Sequence, residues 1–577
     1  YANQGAQRRW TYQYSYHDAE HTQLKQIQLI EPRQQGQEQP LASQFDYNEQ
    51  GQLIQSRNVL GHTTRYSEHN QQGQPERIID PNGLDTRLHY NAQGQLTRIQ
   101  LQGKKDEHST EARIHYRVNG LPERIELPDG QWLQAEYNSA RQLTGLTNQR
   151  GERIELTPNK VSEHWEQLSI RDANGETAFQ QQRQLDELGR VIAQLGNAGQ
   201  QTGVHYDRSG KPVRTEQQIE DNQLLSNLQQ YDALGRLIQH TDPLGGETRL
   251  EHDPSGQIRS VTAANDARTT YLYDGLGQLL QESSPDTGTR IYEYDQAGQR
   301  IRSYHPEQPE QATRYHYDAL GRLVHIQHPD TQDDIRYHYD LQDESTHGAS
   351  LGRLSRIEDR HSTIDFAYDT HGNLIRDQRR LTIDQQTHQL TTEYRYTRGN
   401  QLAGITYPNG QQVTYHYHQG QLDSISLEEN SQQKVLVSDI RHRPFGPVEQ
   451  WRNGNGLTQQ LEYDLDGRIS AVRVRPEESA ADEDALWQQQ YRYDLNNNIT
   501  AIQGQQQDGS YQQQFGYDHL QRLTRDQGNY GEHGFSYDAV GNRLSHTSTQ
   551  GEQEQKENYR YAPASNRLLG TSNQEIT

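Results

Sequence analysis

The heptapeptide Tyr231-Asp232-Ala233-Leu234-Gly235-Arg236-Leu237 returns along the chain, and a unit this short can fold only as one member of an array. Near-copies are Tyr273-Asp274-Gly275-Leu276-Gly277-Gln278-Leu279, Tyr317-Asp318-Ala319-Leu320-Gly321-Arg322-Leu323 and Tyr537-Asp538-Ala539-Val540-Gly541-Asn542-Arg543. Looser copies begin at Tyr47, Tyr90, Tyr137, Tyr206, Tyr294, Tyr368, Tyr463, Tyr493 and Tyr517. The anchors Tyr231, His252, Tyr273 and Tyr294 fall every 21 residues. Copies weaken or are interrupted around 150–185, 340–365 and 425–492, and 1–577 reads as one continuous repeat region.

Each unit reads as two strands. An aspartate before a turn accepts hydrogen bonds from the amides just ahead of it, and a glycine three residues later supplies a positive φ, so Asp-x-x-Gly reverses the chain. The turn set is therefore Tyr231, Asp232, Gly235; Tyr273, Asp274, Gly277; Tyr317, Asp318, Gly321; and Tyr537, Asp538, Gly541. Ahead of the turn stands an aromatic-x-Tyr pair, as in Tyr271/Tyr273, Tyr292/Tyr294, Tyr315/Tyr317, Tyr337/Tyr339 and Tyr491/Tyr493. Residues two apart in a strand share a face, which predicts aromatic ladders along one side of a sheet. A second turn closes the unit at Asp242-Pro243-Leu244-Gly245, Pro81-Asn82-Gly83, Pro128-Asp129-Gly130 and Pro408-Asn409-Gly410. The expected fold class is all-β: tandem β-hairpins in a curled antiparallel sheet, with under about a tenth of the residues helical.

Composition fits a sheet without a deep core. Only 30% of residues are hydrophobic and the mean hydropathy is −1.17, values that with a net charge of −23 suit disorder, yet the chain carries 35 Tyr. A single polar sheet resolves the conflict, and coiling on itself protects its edges. At ~16 Å² per residue the wall covers about 6,000–7,000 Å² and, closed into a sphere, encloses on the order of 10⁴ Å³, room for one small domain.

Several function classes drop out. Without Cys there is no disulfide, thiolate metal site or cysteine nucleophile. No apolar run reaches 18 residues, and Tyr1-Ala2-Asn3-Gln4 shows no signal-peptide pattern. Clustered basic residues for phosphate binding are lacking, while 49 Arg against 7 Lys suits stacking on Tyr, so no nucleic-acid partner is expected. The absence of Met marks the chain as the expected interior of a longer polypeptide. Aspartates recurring in every unit are structural rather than a glycosidase pair, which needs one acid and one base in distinct settings. His416 and His418 share a strand face without a companion ligand cluster, and 477–484 is acidic without the glycine spacing of a calcium loop. Asn498-Ile499-Thr500 is a glycosylation sequon at near-chance frequency. No catalytic residue, cofactor or metal site is assigned.

The recurring Tyr-Asp-x-x-Gly-Arg-Leu resembles the YD repeat of Rhs proteins, bacterial polymorphic toxins, over most of the chain. Arg441-His442-Arg443-Pro444-Phe445-Gly446-Pro447-Val448, followed by Trp451 and Gly454-Asn455-Gly456, is similar to an Rhs core segment. Tyr559-Arg560-Tyr561 with Ser565-Asn566-Arg567-Leu568-Leu569 is similar to a late-middle repeat. The resemblance implies a hollow β-cocoon, of which 1–577 is part, enclosing its own C-terminal toxin fragment and secreted into rival cells, often by a type VI apparatus. It further implies a spike protein, a chaperone and an immunity protein as partners. Any activity is expected in the toxin or in a self-cleaving aspartyl protease beyond Thr577. The alternative is an adhesive or carbohydrate-binding ectodomain like the YD regions of teneurins and wall-associated proteins, with solvent-facing rings stacked on sugars.

Overall fold

The computed structural model describes residues 9–30, 42–104, 109–160, 162, 164–220, 223–429, 432–476, 485–506 and 509–572. Among them lie 48 strands, from Thr11–Tyr16 to Leu568–Thr571, in one antiparallel sheet. Strands pair with their sequence neighbours: Leu224–Tyr231 with Leu237–Thr241, and the latter with Glu247–His252. The described helices are a four-residue α-helix, Glu344–His347, and two 3₁₀ turns, Pro309–Gln311 and Thr331–Asp333. The all-β hairpin fold expected from the repeat is the fold observed.

Both turns of the unit use one device. At the first, the Gly235 amide donates to the Asp232 carbonyl (2.8 Å) and the Asp232 amide to the Arg236 carbonyl (2.9 Å). At the second, Gly245 donates to Asp242 and Asp242 to Gly246, both at 2.9 Å. This is a type I turn closed by a residue in the left-handed region, and Gly235 accordingly has φ +76°. One strand register slips just before the repeat tyrosine, between Gln230 and Tyr231, between His316 and Tyr317 and between Ser536 and Tyr537. A bulge there absorbs the extra residue of the turn and sharpens the twist.

Interior packing is thin. The buried hydrophobic residues are Ala135, Ala193, Leu225, Ala267, Ala312, Ala367, Val413, Ala471, Val472 and Ala501. The largest fully buried side chains are Thr370, Ser260 and Ser355, so hydrophobic burial of large side chains contributes little. The two faces differ nonetheless: in Thr313–Tyr317, Tyr315 and Tyr317 are half-buried while Arg314 and His316 are exposed.

The chain divides into two compact units, Tyr1–Leu133 with Tyr273–Gln281 and Arg290–Lys434, and Gln134–Leu272 with Glu282–Thr289 and Val435–Thr577. In the first, the hairpin rhythm is interrupted after Tyr339. Asp343 caps Glu344–His347, and its bonds from Ser345 and Thr346 pull its carboxyl down to about 2. His347 (3% exposed) donates through Nδ1 to Phe366 O (3.0 Å), with Nε2 3.8 Å from Asp365 (2% exposed). Arg356 and Arg380 complete the neutralisation of Asp365 at 2.6 and 2.8 Å. A carboxylate so buried persists because two guanidinium groups pair with it.

Candidate functional site

The repeat residues converge on a staple that joins one hairpin to the next. Asp232 Oδ1 accepts from the amides of Leu234 and Arg236, both at 2.9 Å, and Oδ2 accepts from Arg236 Nε at 2.7 Å. Asp318 does the same with Leu320, Arg322 N and Arg322 Nε (2.9, 3.0 and 2.6 Å). Asp274 accepts from Leu276 and Gln278, and Asp538 from Val540 and Asn542, where the Asn542 amide stands in for the guanidinium at 2.8 Å. Gly277, Gly321 and Gly541 have φ +80°, +77° and +98°.

The arginine held by the aspartate then covers the tyrosine of the following unit. Arg190 lies 4.5 Å from the Tyr206 ring centroid, Arg322 4.3 Å from Tyr339, Arg468 4.6 Å from Tyr493 and Arg522 5.0 Å from Tyr537. Planar guanidinium stacking makes these contacts more than charge pairs. The tyrosine hydroxyl reaches back in turn. Tyr231 donates to Pro212 O (2.9 Å), Tyr317 to Arg300 O (2.9 Å) and Tyr537 to Leu523 O (2.8 Å), each acceptor being the residue two past the turn glycine position of the preceding unit. Tyr294 donates likewise to Leu279 O in the Tyr273 unit, at 2.9 Å. Burial raises the pKa of Tyr294, Tyr317, Tyr339 and Tyr493, which keeps these hydroxyls protonated as donors. The aromatic slots thus build their ladder through Tyr, Arg and Asp together.

A second set of contacts, not legible in the repeat, joins turns far apart in sequence inside each unit. In the first unit Asn82, a second-turn residue, donates to Leu351 O and accepts from Leu351 N, both at 2.9 Å. In the second unit Asp466 accepts from the Asn197 amide at 2.8 Å and from Gln200 Nε2 at 3.1 Å. Asp286 there receives Ser565 Oγ and Asn566 N, both at 2.6 Å. The Arg443-Pro444-Phe445-Gly446 turn belongs to the same set. Arg443 covers Tyr463 at 4.7 Å and bonds Ala178 O, while Phe445, at φ +48°, donates its amide to Glu152 at 3.2 Å. Burial alone would raise the Glu152 carboxyl, but Arg150, Asn148 and the Phe445 amide outweigh it and lower its pKa. Arg150, Glu152, Ala178 and Arg443 border a cavity of about 700 Å³ with Glu176, Arg441 and Tyr463.

The other singled-out residues stay apart. His416 bonds Ser426 Oγ at 3.0 Å, and exposed His418 ends its strand. Among the described residues no group of three or more His, Asp or Glu is placed to hold a metal, and no helix is long and apolar enough to cross a membrane, which says nothing of strands. Asn498 donates to Asp494 Oδ2 at 3.0 Å as part of a repeat turn. The acidic stretch 477–484 and Tyr1-Ala2-Asn3-Gln4 lie outside the described residues.

The family model of the teneurin YD-shell matches residues 1–145 and 163–347, more than half of the sequence. The chain belongs to the teneurin YD-shell family. No curated protein matches it. Among solved structures, the YD-shell chain superposes on a chain of the Photorhabdus luminescens Tc holotoxin pore, in a TccC3 mutant, with a TM-score of 0.73 at 13% identity over 98% of its own length. It superposes on a TcdB2-TccC3 chain with a TM-score of 0.63 at 14% identity over 96% of its length. It spans 37% and 36% of those two chains. At such identity the likeness is one of fold, and the YD-repeat assignment made from the Tyr-Asp-x-x-Gly-Arg-Leu motif agrees with both comparisons.

Proposed function

We propose that this chain is a segment of a larger hollow protein shell that confines a second polypeptide, its own C-terminal toxin fragment. The observation that carries the reading is the sheet's construction: 48 described strands, with repeat hairpins stapled through Tyr, Arg and Asp, and no fully buried side chain larger than threonine among the described residues. Such a sheet is a barrier rather than a solid core, because paired strands leave no gap for a folded substrate or a protease. It needs no active site, so activity belongs to the enclosed fragment or to a flanking self-cleaving segment. The likeness in fold to Tc toxin chains supports the same reading.

The strand Thr11–Tyr16 supports the larger shell. All six of its residues are exposed, with Tyr12 at 57% and Tyr14 at 55%, whereas repeat tyrosines elsewhere are half-buried under the neighbouring hairpin. That face suits a further hairpin of the same kind. Solvent-facing rings at Trp10, Tyr12 and Tyr14 are also what the adhesive alternative requires, with Tyr407 and Tyr530 less exposed at 41% and 39%, but in the repeats arginine covers the rings of Tyr206, Tyr339, Tyr493 and Tyr537. Secretion, delivery into rival bacteria by a type VI apparatus, and recognition by a spike protein, a chaperone and an immunity protein complete the proposal.

The test is to purify the full-length parent and ask by gel and mass spectrometry whether a separate fragment copurifies and becomes protease-sensitive only after the sheet is denatured. A fragment digested freely in the native particle, or a parent with no such fragment, overturns the shell reading and favours adhesion.

A further inference from the structure

In the strands Gly531–Tyr537 and Arg543–Gln550, His533 Nδ1 and His546 Nε2 stand 3.0 Å apart. Their ring centroids are 5.2 Å apart, and Phe535 lies flat against His546, centroids 5.0 Å apart and planes 4° apart. With nitrogens 3.0 Å apart and centroids 5.2 Å apart, the two nitrogens face each other nearly head-on. That is the geometry of one proton shared between two imidazoles. A chelated ion would need both lone pairs turned aside toward a common point, about 2.0–2.1 Å from each nitrogen.

Charged groups face the pair from both flanking strands. On the strand Leu523–Gly528, Asp526 is the cross-strand partner of His533, and its carboxylate bonds the Tyr530 hydroxyl, whose ring lies 5.8 Å from His533. On the strand Gln553–Tyr561, Glu557 is the cross-strand partner of His546 and takes a hydrogen bond from Tyr559 at 2.7 Å. Arg543, on the strand of His546, bonds Tyr559 at 2.9 Å. Both neighbouring carboxylates are engaged by phenols; the Glu557 charge favours a positive charge at His546 and the Arg543 charge opposes it.

We propose that His533 and His546 form a proton-operated latch between their two strands, closed when at least one imidazole is neutral and opened when both are protonated. The closed form needs one nitrogen as donor and one as acceptor; the second proton removes the acceptor and sets two cations 3.0 Å apart. Burial, then the charges of His533 and Arg543, lower the pKa of His546 from 6.5. A histidine depressed in the folded state contributes stability at a pH above its unfolded value, and this is lost as pH falls from there through the folded value. The latch accordingly opens in mildly acidic surroundings, whatever the sheet encloses.

Hydrogen exchange of the whole chain, corrected for intrinsic rates and compared at about pH 7.5 and about pH 5.5, tests this. The expectation is that peptides covering 531–550 exchange at least about fivefold faster in acid, while the His533→Gln/His546→Gln double variant loses that acceleration and a His418→Gln control retains it. Equal acceleration in the double variant, or none in the unaltered chain, overturns the latch. Should the double variant not fold, the imidazole NMR titration of the unaltered chain decides: two coupled steps support the pair, and two independent titrations at the ordinary histidine value refute it.

Discussion

Asn82 Nδ2 donates to the carbonyl of Leu351 and Asn82 Oδ1 accepts from the amide of the same residue, both at 2.9 Å, across 269 positions of sequence. The carboxamide matches a backbone amide because it presents one donor and one acceptor side by side. Asn82 is 7% exposed, so neither bond can be replaced cheaply by water. Asn82→Asp removes the donor and turns a carboxylate oxygen toward Leu351 O, with an expected loss of about 2 kcal/mol and faster exchange of the Leu351 amide. Asn82→Ala should cost about as much, read by denaturant unfolding, and variants as stable as the unaltered chain would show that the contact contributes nothing.

The corresponding contact in the second unit is sensitive to acid. Burial raises the Asp466 carboxyl, but the amides of Asn197 and Ala198 and the side chains of Asn197 and Gln200 outweigh it and hold its pKa below 3.8. A depressed carboxylate contributes stability at a pH above its unfolded value, and that contribution is lost as pH falls through the folded value. Exchange of the Asn197 and Ala198 amides is therefore expected to rise below about pH 4, and Asp466→Asn should flatten that profile while weakening the contact at neutral pH.

Arg322 shows why lysine cannot replace the repeat arginine. It bonds Asp318 and Asp340 at 2.6 and 2.5 Å while covering Tyr339 at 4.3 Å. An ammonium group has no planar fork to reach both carboxylates while stacking on the ring, so Arg322→Lys is expected to cost about 1–2 kcal/mol. Arg314, exposed on the other face of the sheet, is the control, and Arg314→Lys should change the melt by less than about 0.5 kcal/mol.

How far the sequence foretold this follows from the range of each contact. Asp232, Gly235 and Arg236 interact within four residues, so their turn could be read from spacing, and the excess of Arg over Lys already pointed to stacking on Tyr. The hydroxyl of Tyr231 acts 19 residues back, where the carbonyl it meets belongs to Pro212; a backbone acceptor leaves no residue signature. Asn82 and Leu351 meet across 269 positions of sequence, and no local pattern fixes which turns come together. The buried His347 and Asp365 stayed hidden for another reason: the break after Tyr339 looked like a weak repeat rather than a packed insertion.

Backbone strain at the turn offers a gain as well as a loss. Arg141 occupies the turn glycine position at φ +66°, as its amide bond to the Asn138 carbonyl shows, and its side chain is exposed. Arg141→Gly removes a left-handed penalty and should stabilise the second unit by about 1 kcal/mol, less the entropy glycine adds to the unfolded chain. The reverse change at Gly235, at φ +76°, puts a Cβ within 2.4 Å of Lys211 Cε. The lysine can swing away, so the cost of Gly235→Val is mainly the φ strain, about 1–3 kcal/mol. Opposite signs in the two melts are expected, and unchanged melts for both would tell against the turn as the element that fixes the hairpin.

The hydroxyl of Tyr231 supplies the sharpest test of the staple, since Tyr231→Phe keeps the ring and the contact with Lys211, whose ammonium lies 5.2 Å from the centroid, while removing only the bond to Pro212 O. If the staple joins consecutive hairpins, the loss of about 1 kcal/mol should appear as faster exchange both in Pro212–Gln218 and in Leu224–Tyr231, because the bond ties the start of one strand to the end of the other. Tyr231→Ala would add loss of the ring and of the cation above it, about 2 kcal/mol more, with the Tyr273 unit acting as an internal reference. Repeating the Phe substitution at Tyr317 and Tyr537, which bond Arg300 O and Leu523 O, checks that the effect belongs to the repeat and not to one site. Sites this far apart in sequence, with no shared partner, should add within about 0.5 kcal/mol. A Tyr231→Phe chain whose exchange is unaltered in both strands would mean that strand pairing alone holds the hairpins together and that the tyrosine is retained for its ring.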